Sequence, residues 1–216
     1  MFAAGALATA TVLSLTAGAH AAIITPIEAT APSSDPYGRP IQLINGSRLS
    51  APVTEQNAST VTHSTGNYTG GGLIVNAPTG TVTLDLGAAY DLSRIYLWNF
   101  AYDNTLNDGN GPIINRATQG ITIKTSLDNT NFATNSAVTL AKPTSNPTLG
   151  ESFTLTALNV RYVQLDLTSN YGHPSTISLG EVRFGGEAAV VPEPSTLLSL
   201  AGGVGMLGLI RRRRSA

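Results

Sequence analysis

The sequence contains no cysteine. A chain without thiols forms no disulfide, and it lacks cysteine both as a nucleophile and as a metal ligand. The absence does not identify a compartment, because an exported domain can fold without disulfides. Histidine is also scarce, and neither His63 nor His173 lies in a Gly-x-Ser-x-Gly or His-Glu-x-x-His pattern. The sequence therefore gives no support to the hydrolase and metalloprotease templates.

Charge is sparse and unevenly distributed. Charged residues make up 12% of the chain, and four of the twelve basic residues are consecutive, at Arg211–Arg214. The rest of the chain has eight Lys and Arg against all thirteen Asp and Glu. Because binding to a phosphate backbone depends on clustered Lys and Arg, we expect no nucleic-acid partner.

Helical periodicity is missing from the middle of the chain, where Thr, Ser, Asn and Gly are abundant. This composition favours an all-β domain with many turns. A length of 216 residues leaves room for one domain of about 100–200 residues plus targeting segments. We therefore expect residues 23–187 to form a single antiparallel β-sandwich.

The strongest strand signals lie between Val160 and Gly186. The apolar residues of Tyr162–Leu167 occupy every second position, the pattern of a strand with one buried face. In the next strand the apolar residues change parity at Gly180–Glu181, and a β-bulge is the simplest explanation. Further strands are predicted at Thr81–Gly87, Arg94–Phe100, Gly120–Ser126, Ala137–Leu140 and Ser152–Leu158, with Trp98 in the core and Ala51–Asn76 as a long irregular connection.

Several of these segments carry a family resemblance. Arg161–Leu165, Ser169–Gly172 and Leu179–Phe184 are similar to the last third of a discoidin domain, the factor five/eight C-type, galactose-binding-like jelly roll. The strands on either side of Gly87, with Asn99 at the family's Asn, and the hairpin Ser126–Phe132 also resemble that family. The resemblance implies a jelly-roll β-sandwich.

The resemblance also implies a calcium site. Leu43–Ser47 resembles a turn that, together with the Glu of the last strand, holds a structural Ca²⁺ in many discoidin domains. The corresponding residues here are Asn45, Ser47, Ser50 and Glu181, and all of them carry the oxygen atoms that hard cations prefer. Asn45 stands where the family has Asp, so any site should be weak. The alternative is an ordinary turn above a solvated or hydrogen-bonded Glu.

Two polar loops supply the candidates for ligand binding. Ala101–Arg116 is a long excursion between strands, and Asn170–Pro174 joins the last two strands. The resemblance implies that loops at one end of the sandwich bind a glycan or another surface ligand. Aromatic faces stack on sugars, while amides, carboxylates and Arg bind hydroxyls. The candidates are Tyr102, Asp103, Asn107, Arg116, Asn170, Tyr171 and His173.

The N-terminal segment, residues 1–22, is apolar and ends in Ala19-His20-Ala21-Ala22. An apolar run followed by small residues is typical of a signal peptide, which we expect to be helical. No Lys or Arg precedes Arg39, so the usual positive n-region is missing. The alternative is a buried N-terminal helix.

The C-terminal segment has three parts in a fixed order. A linker at 188–196 carries Pro192, Glu193 and Pro194, residues 197–210 are an apolar run, and the basic tail 211–216 contains Arg211, Arg212, Arg213 and Arg214. This order resembles the PEP-CTERM sorting signal of bacteria, which implies an exosortase-type peptidase and transient anchoring of a transmembrane helix in the inner membrane. The arginines would hold the tail in the cytoplasm. A plain, uncut anchor is the alternative.

Three classes of function are compatible with these features. The first is an exported, non-catalytic module, secreted or at the cell surface, that binds a glycan or the extracellular matrix. The second is a structural matrix or surface protein without a discrete ligand. The third is a polysaccharide-acting enzyme, because the spacing of paired carboxylates is spatial and cannot be seen in a sequence.

We predict that cells remove both ends of the chain and leave a product from about Ala22 to the Pro192–Pro194 region. The physical reason is the pairing of a small-residue cleavage pattern with a tripartite tail. The intact mass of the exported protein tests this prediction. An exported species that keeps Arg211–Arg214 throughout would contradict the sorting half of it.

Overall fold

The structure, a computed structural model, describes residues 22–65, 71–103 and 105–190. These residues contain nine strands: β1 Ala22–Ile24, β2 Glu28–Thr30, β3 Thr62–His63, β4 Leu73–Val75, β5 Gly80–Asn99, β6 Thr118–Ser126, β7 Ala133–Thr139, β8 Thr148–Asn170 and β9 Ile177–Ala188. Two short 3₁₀ turns lie at Pro40–Leu43 and Ile113–Arg116. All strand pairs are antiparallel, so the expected all-β antiparallel fold is confirmed.

The expected signal helix and the transmembrane helix at 197–210 lie outside the described residues. Among the residues that are described, no helix is long and apolar enough to cross a membrane.

Two long strands, β5 and β8, organise the sheet. They pair with each other from Gly80 opposite Leu167 to Trp98 opposite Gly150, with register shifts between Asp85 and Arg94. A straight strand of twenty residues would extend about 65 Å, far more than a small domain can cover. Both strands therefore bend, β5 near Gly87 at φ +83° and β8 near Asn159 at φ +54°. Gly and Asn are the residues that most readily adopt such left-handed conformations.

The bend divides the sheet into two layers. Layer one contains β2, β6, β7 and the halves of β5 and β8 around residues 80–86 and 160–170. Layer two contains β1, β3, β4, β9 and the other halves of β5 and β8. The sequence predicted each long strand as two separate strands. It did so because the bends interrupt the hydrophobic alternation without ending the pairing.

The core lies between the two layers. Val82 and Leu84 of layer one and Ile95, Leu97 and Phe184 of layer two are all fully buried in one apolar cluster. The alternation predicted for Tyr162–Leu167 is confirmed, since Val163, Leu165 and Leu167 belong to the same cluster. Burial of this surface is the main driving force for closing the sheet.

The bulge predicted in β9 is confirmed. Trp98 pairs with Glu181 and Asn99 pairs with Leu179, so Gly180 is left over. A Cβ atom at Gly180 would lie 2.7 Å from the Trp98 carbonyl oxygen and 2.8 Å from His63 Nδ1, so only glycine fits. The extra residue keeps both halves of β9 packed on the core and turns Glu181 to the outer face of layer two.

The outer face of layer two is covered by the segment that was predicted as an irregular connection. Trp98 is fully buried against Ala58 and Val61, and its Nε1 donates to the Val61 carbonyl at 2.8 Å. The prediction that Trp98 is a core residue is confirmed. The segment also contains β3 and β4, so it packs on the sheet and is not merely a linker.

Asn99 joins the two layers where β5 ends. It is 2% exposed, and its Nδ2 donates to the carbonyls of Thr118 at 2.8 Å and Ala141 at 3.1 Å. Its Oδ1 accepts from the amides of Phe100 at 2.9 Å and Thr118 at 3.0 Å. Thr118 Oγ1 in turn donates to the Ser178 carbonyl at 2.8 Å, which connects β6 to β9.

We predict that Asn99→Leu lowers the free energy of unfolding by on the order of 3 kcal/mol or more. The substitution leaves two backbone amides and two backbone carbonyls without their hydrogen-bond partner, and each unsatisfied buried group costs about 1–3 kcal/mol. Urea denaturation measures the loss. The control is Asn135→Ala, which removes the bond of an exposed amide to the Thr156 carbonyl and should cost less than about 1 kcal/mol. Equal losses for the two variants would contradict a special role for Asn99.

His63 generates a prediction about acid stability. The side chain is fully buried in β3, and neither ring nitrogen has a hydrogen-bond partner among the described residues. Burial, and then the charges of Arg48 and Arg183, lower the pKa of His63 from 6.5 to about 4. The folded state therefore favours the neutral form of the ring. The stability of the folded state should fall as the pH drops from about 6.5 toward 4, by up to about 1.4 kcal/mol per pH unit.

In the variant His63→Leu this component of the acid dependence should be absent. The measurement is the difference between the pH profiles of wild type and variant in urea denaturation. Only the slope matters, so an overall change in stability does not obscure the result. Parallel profiles between pH 6.5 and 4 would show that His63 does not titrate in this window.

Candidate functional site

Three loops meet at one end of the sandwich, and we call their described residues, 100–103, 105–117, 140–147 and 170–176, the loop end. The Tyr171 amide donates to the Asn115 carbonyl at 3.1 Å, and the Tyr171 hydroxyl donates to the Leu140 carbonyl. Lys142 Nζ donates to Asn115 Oδ1 at 2.7 Å. The structure thus brings together the two loops that carry all seven predicted ligand-binding residues.

An ion-pair cluster fastens these loops to one another. The Asp108 carboxylate pairs with the Arg116 guanidinium, and Asp108 Oδ2 lies 3.1 Å from His173 Nε2. Burial raises the pKa of Asp108, but hydrogen bonds from Arg116 and the Asn110 amide outweigh it and lower that pKa to about 2. Asp108 is therefore ionised at neutral pH, and the cluster joins residues 65 positions apart in the sequence.

The side-chain amide of Asn170 makes its hydrogen bonds within its own loop. Nδ2 donates to the carbonyls of His173 at 2.8 Å and Thr176 at 2.9 Å. Oδ1 accepts from the amides of Gly172 at 2.8 Å and His173 at 3.1 Å. With these four bonds made, Asn170 shapes the loop and has little capacity left for a ligand.

Short-range turns shape the 101–116 excursion in the same way. Asp103 Oδ1 accepts from the amide and the hydroxyl of Thr105 at 2.9 and 2.7 Å, and these hydrogen bonds lower the pKa of Asp103. Asn107 Oδ1 accepts from the amides of Gly109 at 2.8 Å and Gly111 at 3.2 Å. Both side chains remain exposed, so each presents polar atoms to solvent on a fixed turn.

Two of the predicted contact residues are buried in the structure. Tyr102 is 6% exposed and stacks on Phe100 with ring centroids 5.9 Å apart, so it offers no open face to a sugar. His173 is 2% exposed and faces Asp108. Both belong to the interior of the loop end, because the excursion carries its own apolar cluster of Phe100, Tyr102, Ile113, Ile114 and Ala117.

Tyr171 is the accessible aromatic residue of this surface. Its ring is half-buried, and Lys142 Nζ lies 5.8 Å from the ring centroid. Burial, and then the charge of Glu151, raise the pKa of Tyr171, so the hydroxyl stays protonated and holds its bond to Leu140. Lys142 and Asn115 were missed in the sequence. Neither lies in a motif, and the chain fold alone places them beside Tyr171.

A surface depression lies on the outer face of layer one. This depression, of about 150 Å³, is lined by Glu28, Thr30, Thr83, Asp85, Asn129 and Tyr162. Arg161 donates to both carboxylate oxygens of Asp85 at 3.0 Å and lies 5.1 Å from the centroid of the Tyr162 ring. Arg161 thus covers the Tyr162 ring and pairs the Asp85 carboxylate of this depression.

Three of the four side chains of the predicted calcium site, those of Asn45, Ser50 and Glu181, already accept hydrogen bonds from the protein. Asn45 Oδ1 accepts from the Ser47 amide at 3.0 Å, and Ser50 Oγ accepts from the Thr62 amide at 3.0 Å. The Gly46 amide lies 3.3 Å from each Glu181 oxygen. Across the described part of the chain, no group of three or more His, Cys, Asp and Glu residues could hold a metal ion.

Glu181 is fully buried and pairs with Arg183. Burial raises the pKa of Glu181 to about 7, against the opposing effects of Arg183 and the Gly46 amide. Ca²⁺ needs about six to eight converging oxygens, and this arrangement places a guanidinium on the carboxylate instead. The residues therefore do not fit the ion, and calcium binding stays a prediction.

A signal for this pair was present in the sequence. Residues two apart on a strand face the same side, so Glu181 and Arg183 share the outer face of β9.

The predicted sorting residues Pro192, Glu193, Pro194, Arg211, Arg212, Arg213 and Arg214 lie outside the described residues. They fall within residues 190–214, which match the PEP-CTERM protein-sorting motif. The predicted sorting signal is therefore confirmed. Comparison with curated proteins found no match.

The described fold is similar to solved structures of carbohydrate-binding modules. One is the family 32 CBM (carbohydrate-binding module) of Clostridium perfringens NanJ in complex with galactose, with 15% identity, a TM-score of 0.50, and 76% of this chain and 98% of that chain covered. Another is truncated AlyQ with CBM32 and alginate lyase domains, with 18% identity, a TM-score of 0.50, and 80% and 36% covered. At these identities the likeness concerns the fold alone. The chain thus joins a β-sandwich with the fold of the family 32 CBMs to a PEP-CTERM protein-sorting motif.

Proposed function

We propose that this protein is an exported, non-catalytic module that binds glycans at the bacterial cell surface. The sorting motif supports export, and the fold is that of modules such as the one from NanJ, which was solved in complex with galactose. The same motif supports the proposal that an exosortase-type peptidase processes the protein during transient anchoring in the inner membrane. The extracellular matrix is the proposed setting of the ligand.

The observation that carries this proposal is the composition of the loop end. Asp103, Asn107 and Lys142 are exposed, and Asn115 and Tyr171 are half-buried. An aromatic ring beside amide, carboxylate and ammonium groups is the mixture that binds a sugar ring and its hydroxyls. Arg116 is paired with Asp108, and 18% of its side chain is exposed at the loop end.

The loop end is rigid before any ligand arrives. The amides of Asn99 and Asn170, the Asp108 cluster and the Tyr171 hydroxyl hold the loops through bonds between distant segments. A surface ordered in advance loses less conformational entropy on binding. This order favours a specific, if weak, ligand over a purely structural role.

The charges favour a neutral or mildly charged glycan. Lys142 and Arg116 are offset by Asp103, Asp108 and the Glu151 carboxylate, which accepts from the Ala141 amide at 3.0 Å. No strong excess of either sign is therefore presented to a ligand. Long-range attraction to a highly charged polymer should be small.

The same carboxylates argue against glycoside hydrolysis. A general acid needs a raised pKa, whereas Asp108 is held ionised with a pKa of about 2. Burial raises the pKa of Glu151, but its carboxylate is occupied by the Ala141 amide. A polysaccharide-acting enzyme is the less favoured alternative, and turnover of polysaccharides by the purified protein would establish it. A structural matrix protein is the other alternative.

We predict that Tyr171→Ala weakens the binding of a glycan identified on an array by about tenfold or more, because each 1.4 kcal/mol of lost stacking is a factor of ten. Titration calorimetry measures the affinity. Tyr171→Phe is the matched control, since it removes only the bond to Leu140 and keeps the ring. Leu127→Ala, in the hairpin at the opposite end of β6, should leave binding unchanged.

The variant Tyr162→Ala tests whether the glycan binds at the loop end or at the depression on layer one. Binding that survives Tyr171→Ala and is lost with Tyr162→Ala would move the site to the outer face of layer one. A purified protein that binds no glycan on the array would favour the structural alternative.

A further inference from the structure

The turn at residues 45–50 lies directly above a buried ion pair. Glu181 is 0% exposed and Arg183 is 6% exposed, and the guanidinium donates to the carboxylate and, at 2.7 Å, to the Val182 carbonyl. The Gly46 amide is the second donor on the carboxylate. One buried anion is therefore shared between a side-chain cation and the backbone of the turn.

The bulge in β9 places this pair. Val182 and Phe184 point into the core, and Glu181 and Arg183 point to the outer face with their cross-strand partners Trp98 and Tyr96. If β9 ran through Gly180 as a regular strand without a bulge, the parity of Ile177 and Leu179 would continue and Glu181 would face the apolar core. The bulge therefore determines that the Glu181–Arg183 pair lies on the outer face of β9.

The guanidinium also lies against the turn. Gly46 has φ +66°, and a Cβ atom built on it would lie 3.0 Å from Arg183 Nη2. Arg183 also lines, with Gly46 and Ser50, a depression of about 420 Å³, so the cationic group beside the turn and Glu181 is the guanidinium. Arg48 and Arg183 both act on the nearby His63 ring, so the surroundings are already positive and unfavourable for a divalent cation.

We propose that the Arg183 guanidinium is the resident cation of this turn and takes the place that the sequence resemblance assigns to calcium. The cation that holds the turn to β9 is then a side chain of the protein. Its presence at the turn does not depend on the concentration of a free ion. A buried carboxylate requires such a partner, because removing one member of a buried pair leaves an uncompensated charge.

Melting temperatures of the full-length protein test this proposal. The wild type should have the same melting temperature in millimolar calcium and in chelator, whereas an ion that bound only the folded state would raise it by several degrees. Arg183→Met should lower the melting temperature by roughly 10 °C. The double variant Glu181→Gln with Arg183→Met should recover most of this loss, because it removes both charges.

A control variant tests whether the effect is specific to the buried pair. Arg161→Met breaks the pair with Asp85, in which the Arg161 side chain is 41% exposed, and should change the melting temperature little. If Arg183→Met fails to fold, the melting temperatures of the wild type and of the double variant still test the proposal. A wild-type melting temperature that rises with calcium would overturn the proposal. So would a double variant no more stable than Arg183→Met, since the guanidinium would then not act through the Glu181 charge.

Discussion

The four hydrogen bonds of the Asn99 amide are the contact on which the architecture depends. They connect the end of β5 to the start of β6 and to the 140–147 loop, segments that no sheet pairing joins at this point. Two of the three loops of the loop end, 100–117 and 140–147, are held at one of their ends by this amide. An amide suits the position because it offers two donors and two acceptor sites to backbone groups that would otherwise be unpaired.

Departures from regular β geometry are as important as the regular pairing. The bends near Gly87 and Asn159 let two strands contribute to both layers, so one core is closed by a single continuous sheet. The bulge at Gly180 then decides which residues of β9 meet the core and which meet the turn above Arg183. Each departure occurs at Gly or Asn, where the steric cost of an unusual backbone is lowest.

Polar side chains at the loop end have two separate roles. Asn170, Asp108 and His173 are directed at other parts of the protein, and they build the loops. Asp103, Asn107 and Lys142 reach solvent. A loop cannot present a defined surface until its own backbone groups are satisfied, so most of its Asn and Asp residues are needed for the first role.

The sequence by itself determined the all-β class, the buried alternation of Tyr162–Leu167, the parity break at Gly180 and the sorting motif. These are local patterns, and period-two burial or a short ordered motif is visible without a partner strand. Only the tertiary structure decided that Tyr102 and His173 turn inward, that Lys142 reaches Tyr171, and that Arg183 lies against the turn at residues 45–50. The placements of His173, Lys142 and Arg183 depend on contacts between residues far apart in the chain, and side-chain type does not reveal whether a polar group faces solvent or another segment.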